Sequence, residues 1–255
     1  TTVICSDKTG TLTQNEMAVR AVWVDRGVIE VTGVGYAPQG TFERDGAAIN
    51  PAENQDLLLA LKIGVLCNGA ELRQAEGRWQ VVGDPTEGAL LTAAGKAGLD
   101  KQTLVQANPL VTEVPFDSER KMMSMLRTTP EGARLFVKGA PDVVVERATT
   151  MLVDGKQVPL TAELRAQVLE ANNALAGRAL RVLGLAYREL DPGLRRDDNS
   201  SKPEVQEEDL TFVGLVAMMD PPRPEVKKAM ETCKRAGIKA VMITGDHKET
   251  AVAVA

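Results

Sequence analysis

Asp7 is followed by Lys8, Thr9, Gly10, Thr11 and, two places on, Thr13. A carboxylate so placed can act as a nucleophile and accept a phosphoryl group as an acyl phosphate. The threonines offer hydroxyls and backbone N–H groups to phosphate oxygens, and Gly10 permits a tight path. Lys8 would point to the other side of an extended chain and takes a supporting role. Far along the chain, Thr244-Gly245-Asp246 offers a second hydroxyl and further free N–H groups for phosphate. Between them lie groups suited to a base. Phe116, one of only 4 phenylalanines, precedes a charged turn, Asp117-Ser118-Glu119-Arg120-Lys121, instead of an apolar partner. An exposed ring there can stack on a heterocycle while Lys121 neutralises phosphate. Lys138-Gly139 lets the backbone approach a ligand while the lysine carries charge.

Four further charged residues have plain structural readings. Glu87 is a first-turn helix acid, favourable against the helix dipole. Arg181 is an outward-facing charge on an apolar strand. Asp220 and Arg223 flank Pro221-Pro222 as a turn and a helix-start ion pair, with the prolines stiffening the crossing.

The elements that must hold these groups follow from pattern. Thr2 to Cys5 is a short β-branched run, so Asp7 stands at a strand's carboxyl end, where open α/β sheets place ligands. Ala18 to Val24 and Val28 to Val34 are strands about a turn at Asp25-Arg26-Gly27. Tyr36 to Pro51, dense in Gly, Pro and charge, reads as an exposed loop. Leu57, Leu58, Leu61 and Val65 mark a core helix over 51–67. Trp79 to Gly83 is a strand, and Asp84-Pro85 caps and opens a helix that frays near Gly95 or Gly98. Leu110 to Phe116, Met122 to Arg127 and Leu135 to Gly139 predict an antiparallel sheet. Leu164, Val168, Ala171 and Leu175 predict a helix ending near Gly177, and Leu180 to Tyr187 a strand. Asp191 to Glu208 reads as a solvated loop. Leu210 to Met218 and Lys239 to Thr244 are apolar strands around a helix opened by Pro224. The economical topology is a parallel α/β domain split by an inserted α+β domain: 1–16 and 219–255 form the first, 17–218 the second, with a hinge at the two crossings.

Composition narrows the class. The chain has 255 residues, 44% hydrophobic and 25% charged, with net charge −5, a globular profile without the basic stripe of a nucleic-acid binder. The 3 cysteines, Cys5, Cys67 and Cys233, show no Cys-x-x-Cys spacing, which predicts reduced thiols serving as small core residues. The lone His247 cannot build a histidine metal site. No run approaches the ~18 apolar residues of a membrane span. The ends fall inside a strand and an apparent helix, so the expectation is a piece of a longer protein, itself soluble and monomeric.

The string Cys5-Ser6-Asp7-Lys8-Thr9-Gly10-Thr11-Leu12-Thr13 resembles the phosphorylation motif of the P-type ATPases, cation pumps that pass through a phosphorylated aspartate. Cys5-Ser6 and Gln14-Asn15-Glu16-Met17 resemble the calcium-pump side of that family. Paired with Thr244-Gly245-Asp246, the Asp7 strand is similar to the haloacid-dehalogenase-like superfamily, to which the pumps belong. The resemblance runs the length of the chain through separated motifs in the family's order. It implies that Asp7 takes the γ-phosphoryl of ATP, and that Asp7 and the Thr9 carbonyl bind Mg²⁺. Thr244 and Asp246 would contact the γ-phosphate side. Phe116 would be the adenine-stacking ring with Lys121 beside it, Lys138 of Lys-Gly-Ala would line the adenine pocket, and Glu87 would hydrogen-bond the adenine amino group. Arg181 would reach the β-phosphate, and Asp220 and Arg223 would form the hinge motif. Thr9 stands where the superfamily's phosphatases carry a second Asp, the general acid/base, and its loss should slow acyl-phosphate hydrolysis. Calcium pumps often carry arginine where Ser118 stands, which removes one phosphate contact here.

The resemblance thus implies the ATP-binding and phosphorylation region of a cation pump at the cytoplasmic face of a membrane, with transmembrane and actuator domains as partners. A later lysine and a Gly-Asp-Gly-x-Asn-Asp segment of the family do not occur before Ala255, so ATP binding with little stable phosphorylation is expected of this chain. Two other classes stay open: a haloacid-dehalogenase-like phosphatase with a large cap, and a non-catalytic nucleotide-binding module.

Overall fold

The computed structural model describes residues 1–190 and 205–243. Thr244, Gly245 and Asp246, and most of the loop expected over 191–208, lie outside the described residues.

The chain opens with β1 (Val3–Asp7) and a single wide helical turn over Lys8–Leu12. β2 (Ala18–Val24) and β3 (Gly27–Val31) form a hairpin whose turn residues, Asp25 and Arg26, are both left-handed at φ 52° and 57°, the geometry that matches strand twist in two-residue hairpins. β4 (Phe42–Arg44) and β5 (Ala47–Ile49) continue the meander. The loop expected over Tyr36 to Pro51 is therefore only partly a loop, and Tyr36 and Phe42 are buried. α1 (Gln55–Leu66) starts at Asn54, whose side chain accepts from the Leu57 N–H at 2.8 Å. β6 (Glu71–Ala75) and β7 (Arg78–Val82) pair only with each other. α2 (Pro85–Lys96) and α3 (Lys101–Ala107) follow.

β8 (Leu110–Asp117), β9 (Met122–Thr129) and β10 (Gly132–Gly139) are successive antiparallel strands. α4 (Pro141–Glu146), the hairpin β11 (Ala148–Val153) and β12 (Lys156–Pro159), and α5 (Ala162–Ala176) come next. β13 (Arg181–Leu190) and β14 (Leu210–Met219) are long antiparallel neighbours. α6 (Val226–Arg235) and β15 (Lys239–Ile243) end the described chain.

One large sheet runs in the order β5-β4-β3-β2-β14-β13-β10-β9-β8, with β11 and β12 joined beside β14. Alternate residues feed two separate cores. Val22, Val24 and Phe136 face α1 and α2, whose Leu57, Leu61, Ile63, Ala89 and Leu90 join the same cluster. Ala21, Trp23, Leu135 and Val137 face the other way, toward Val144 of α4 and Val168 and Leu175 of α5. Both faces are covered, so β14 is buried along all but its last residue and reads as a continuous apolar run, although its sheet is mainly antiparallel.

β1 belongs to a separate two-stranded sheet. It pairs in parallel with β15, Asp7 opposite Ile243. Cys5 is exposed there, contrary to the expected core position, because among the described residues β15 is the only strand paired with β1; Cys67 is buried as expected.

Candidate functional site

A cavity of about 570 Å³ opens where the start of α2, the ends of β8 and β10 and the start of β13 converge. Its floor is polar and sheltered. Lys138, on β10, is 7% exposed, and its Nζ pairs with Glu87 Oε1 at 2.5 Å. The other carboxylate oxygen of Glu87 accepts the backbone N–H groups of Gly69 at 2.9 Å and Ala70 at 3.0 Å. Glu87 holds its position because Asp84 caps α2, its Oδ1 accepting from the N–H groups of Thr86 at 2.7 Å and Glu87 at 3.2 Å. Asp84 and Thr86 also line the cavity, an involvement that the capping role of Asp84 conceals in the sequence. Met123, Pro141, Val182 and Leu183 supply apolar walls.

The rim is different in kind. Phe116 is 62% exposed, which leaves its ring open to a ligand. Lys121 and Arg181 are also exposed and line the same cavity. Gly139 is required at the wall: a Cβ there would lie 2.5 Å from Met122 Cβ and 2.7 Å from the Lys121 carbonyl oxygen. The cavity thus joins a hydrogen-bonding floor, apolar walls, a free aromatic face and two cations at the mouth. That combination suits a flat heterocycle carrying an anionic chain. Of the sequence-predicted residues, it brings together Glu87, Phe116, Lys121, Lys138, Gly139 and Arg181.

The turn carrying Phe116 and Lys121 is pinned by residues that the sequence reading passed over. Asp117 Oδ1 accepts from the N–H groups of Glu119 and Arg120, each at 2.9 Å. The Arg120 guanidinium forks between two partners: Nη2 donates to the Pro115 carbonyl at 2.5 Å and Nη1 to both oxygens of Glu207. Ser124 Oγ donates to Glu207 at 2.6 Å. Glu207 is 8% exposed, so the end of the segment expected to be a solvated loop is instead tied into the sheet. A glutamate inside a charged run gives no sign of its partner until the fold brings it to Arg120.

Asp220 and Arg223 do not line this cavity. They sit at the chain crossing beside the Asp7 loop. Thr13 Oγ1 donates to Asp220 Oδ2 at 2.5 Å, and the Glu16 N–H reaches Asp220 Oδ1 at 3.2 Å. Arg223 donates to the Gly10 carbonyl at 2.9 Å, not to an acid, so the expected helix-start ion pair is replaced by a bond to the loop. Thr13, buried and committed to Asp220, is withdrawn from the set of hydroxyls available to phosphate. Asp7 and Thr11 are exposed, while Lys8 is buried. Among the described residues no three acidic, histidine or cysteine side chains group to hold a metal. Asp7 is exposed, and a single carboxylate suits a Mg²⁺ ion that keeps water and phosphate oxygens as its other ligands.

The family described as P-type ATPase, cytoplasmic domain N, matches residues 56–225. The chain belongs to this family. Every residue of the cavity lies inside the matched N-domain segment, and the Asp7 loop lies before it. Similar proteins include a "Calcium-transporting ATPase" of Bacillus subtilis, 42% identical over 254 residues, covering 99% of this chain and 28% of that protein. A "Calcium-transporting ATPase 1" of Bacillus cereus is 41% identical over 257 residues, covering 100% of this chain and 26% of its own length. A "Probable cation-transporting ATPase F" of Mycobacterium tuberculosis is 41% identical, again over the whole chain and 28% of the relative. The chain therefore spans little more than a quarter of the length of these relatives. Among the described residues no helix is long and apolar enough to cross a membrane.

Proposed function

We propose that this chain is the ATP-binding and phosphorylation region of a cation-transporting ATPase, with calcium the favoured cation. The observation that carries the reading is the single cavity joining the Glu87–Lys138 floor to the Phe116 ring and the Lys121 and Arg181 rim. Adenine stacks on Phe116 with its amino group toward Glu87, and the phosphates run past Lys121 and Arg181 toward the Asp7 loop. Asp7 Oδ then attacks the γ-phosphorus, the bond to the bridging oxygen breaks, and ADP leaves with that electron pair. Catalysis of such a transfer is mainly positioning and charge neutralisation. Asp7 and the Thr9 carbonyl would hold Mg²⁺, which would supply neutralisation of phosphate charge. Thr244, Gly245 and Asp246 line the γ-phosphate side in this reading, and Asp220 and Arg223 hold the Asp7 loop to the crossing between a haloacid-dehalogenase-like part (1–16, 219–255) and an inserted part (17–218). The whole protein works at the cytoplasmic face of a membrane, with transmembrane and actuator parts as its partners.

One series tests both halves. Calorimetric titration of ATP should show saturable binding, weakened by Phe116→Ala by the ~1–3 kcal/mol of a lost stacking contact and weakened also by Lys138→Ala. Binding that survives both substitutions unchanged would put the nucleotide elsewhere. In the intact pump, acid-quenched labelling from γ-labelled ATP should disappear in Asp7→Asn; label that persists would remove Asp7 as the acceptor.

A further inference from the structure

Phe116 precedes, and Lys121 ends, a five-residue turn at the sheet's edge, where β8 has a strand on one side only among the described residues. Register breaks between Val114 and Asp117; beyond the break the turn is closed by the Asp117–Met122 pair, by the Lys121 N–H donating to the Asp117 carbonyl at 2.6 Å and by the Ala140 N–H donating to the Lys121 carbonyl at 2.9 Å. Lys121 is itself left-handed, at φ 54°, a conformation that non-glycine residues keep only when their surroundings impose it. The side-chain contacts that add to these backbone bonds converge on Arg120 and Glu207. One guanidinium nitrogen takes the Pro115 carbonyl, immediately before Phe116, and another takes the carboxylate. Glu207 is anchored in turn: Ser124 Oγ donates to it, Glu208 pairs with Arg147 at 2.8 Å, and Arg188 holds the carbonyls of Gln206 at 3.2 Å and Glu208 at 3.1 Å. The segment just before β14 thus reaches across to brace the turn at the far edge of the sheet.

We propose that Glu207 and Arg120 are positioning residues for nucleotide binding, acting through the turn that presents Phe116 and Lys121. Neither lines the cavity. The fork fixes the path between Pro115 and Lys121, so the ring and the ammonium meet the ligand already oriented, and binding does not bear the entropy of ordering them. The inference rests on the reading of this cavity as the ATP site.

The test is a double-mutant cycle on the 255-residue chain, with ATP affinity measured by calorimetry and folding checked by thermal unfolding. The background substitution is Phe116→Leu, which keeps an apolar side chain and a measurable affinity. Glu207→Ala should weaken ATP binding at least about fivefold beside Phe116, and less than about twofold beside Leu at that position, a coupling that only residues acting through one another produce. Arg120→Lys keeps the charge and loses the fork; it should reproduce the coupling and serves alone if Glu207→Ala fails to fold. Equal losses in both backgrounds would mean a merely structural role and overturn the proposal, as would unchanged ATP affinity in a folded variant. Absence of ATP binding by the unsubstituted chain, or indifference to Phe116→Leu, would overturn the reading of the cavity first, and the proposal with it. A wild-type response to Phe116→Leu without a response to Glu207→Ala or Arg120→Lys would overturn the proposal alone.

Discussion

Cys67 shows how one buried group reports on the site. It follows α1 beneath the cavity floor, its thiol 3.6 Å from the Met123 carbonyl oxygen. Burial pushes the thiol up to about 12 from its ordinary 9. The folded state therefore keeps the proton after the unfolded chain has lost it. Below pH 9 the group leaves stability independent of pH; above pH 9 stability falls as pH rises toward 12. Urea unfolding should show the advantage of the parent over Cys67→Ala shrinking between pH 8 and pH 10. A constant gap would contradict the burial argument. Residues of this kind are poorly legible in sequence. Asp7, Phe116 and Lys138 stand out because their neighbours are wrong for a core. Glu207 and Asp84 do not, because a charged run and a helix cap each explain them locally.

At the scale of elements, the start of the cavity wall depends on how closely β9 and β10 approach. Gly139 lies opposite Met122, and the Lys121 carbonyl accepts the Ala140 N–H at 2.9 Å. Gly139→Ala would drive a methyl into both neighbours. Such overpacking costs about 1–3 kcal/mol, and it should displace Lys121, so urea titration and ATP calorimetry should both register the change. Stability and affinity equal to the parent's would show that the wall yields. Pattern found the long strands and the capped helices, since alternation and apolar spacing are strong over 8–12 residues. It missed β6, which buries no residue fully, and the hairpin β11–β12. For the latter the signal was present: Asp154-Gly155, both left-handed at φ 51° and 71°, is a hairpin dipeptide. Asp45-Gly46 and Glu76-Gly77 mark the turns of β4–β5 and β6–β7 in the same way.

At the scale of the molecule, the small parallel sheet and the large sheet are joined at two adjacent crossings. The Gln14 N–H donates to the Pro221 carbonyl at 3.0 Å, the Arg223 N–H to the Leu12 carbonyl at 2.8 Å, and Thr13 to Asp220. Thr13→Val keeps shape and removes the hydroxyl, leaving Asp220 short of a donor at a cost of about 1–3 kcal/mol. Hydrogen exchange should quicken in β1 and β15, while ATP affinity stays within about twofold because the cavity is untouched. Unchanged exchange in β1 would mean that this bond does not hold the crossing. The parallel arrangement of these two strands was legible in the sequence as a split α/β domain, but their register, Val3 opposite Lys239, was not.

The crossings also decide the order in which the chain can assemble. Val3 must find Lys239, a contact across almost the whole polypeptide, and closing so long a loop from the unfolded state is slow. Yet Ala18 and Met219 are already neighbours in the large sheet. Once β2 and β14 have zipped, the two strands left over hang from adjacent points, and their meeting becomes a short-range event. The most distant strand pairing among the described residues is thereby brought within short reach.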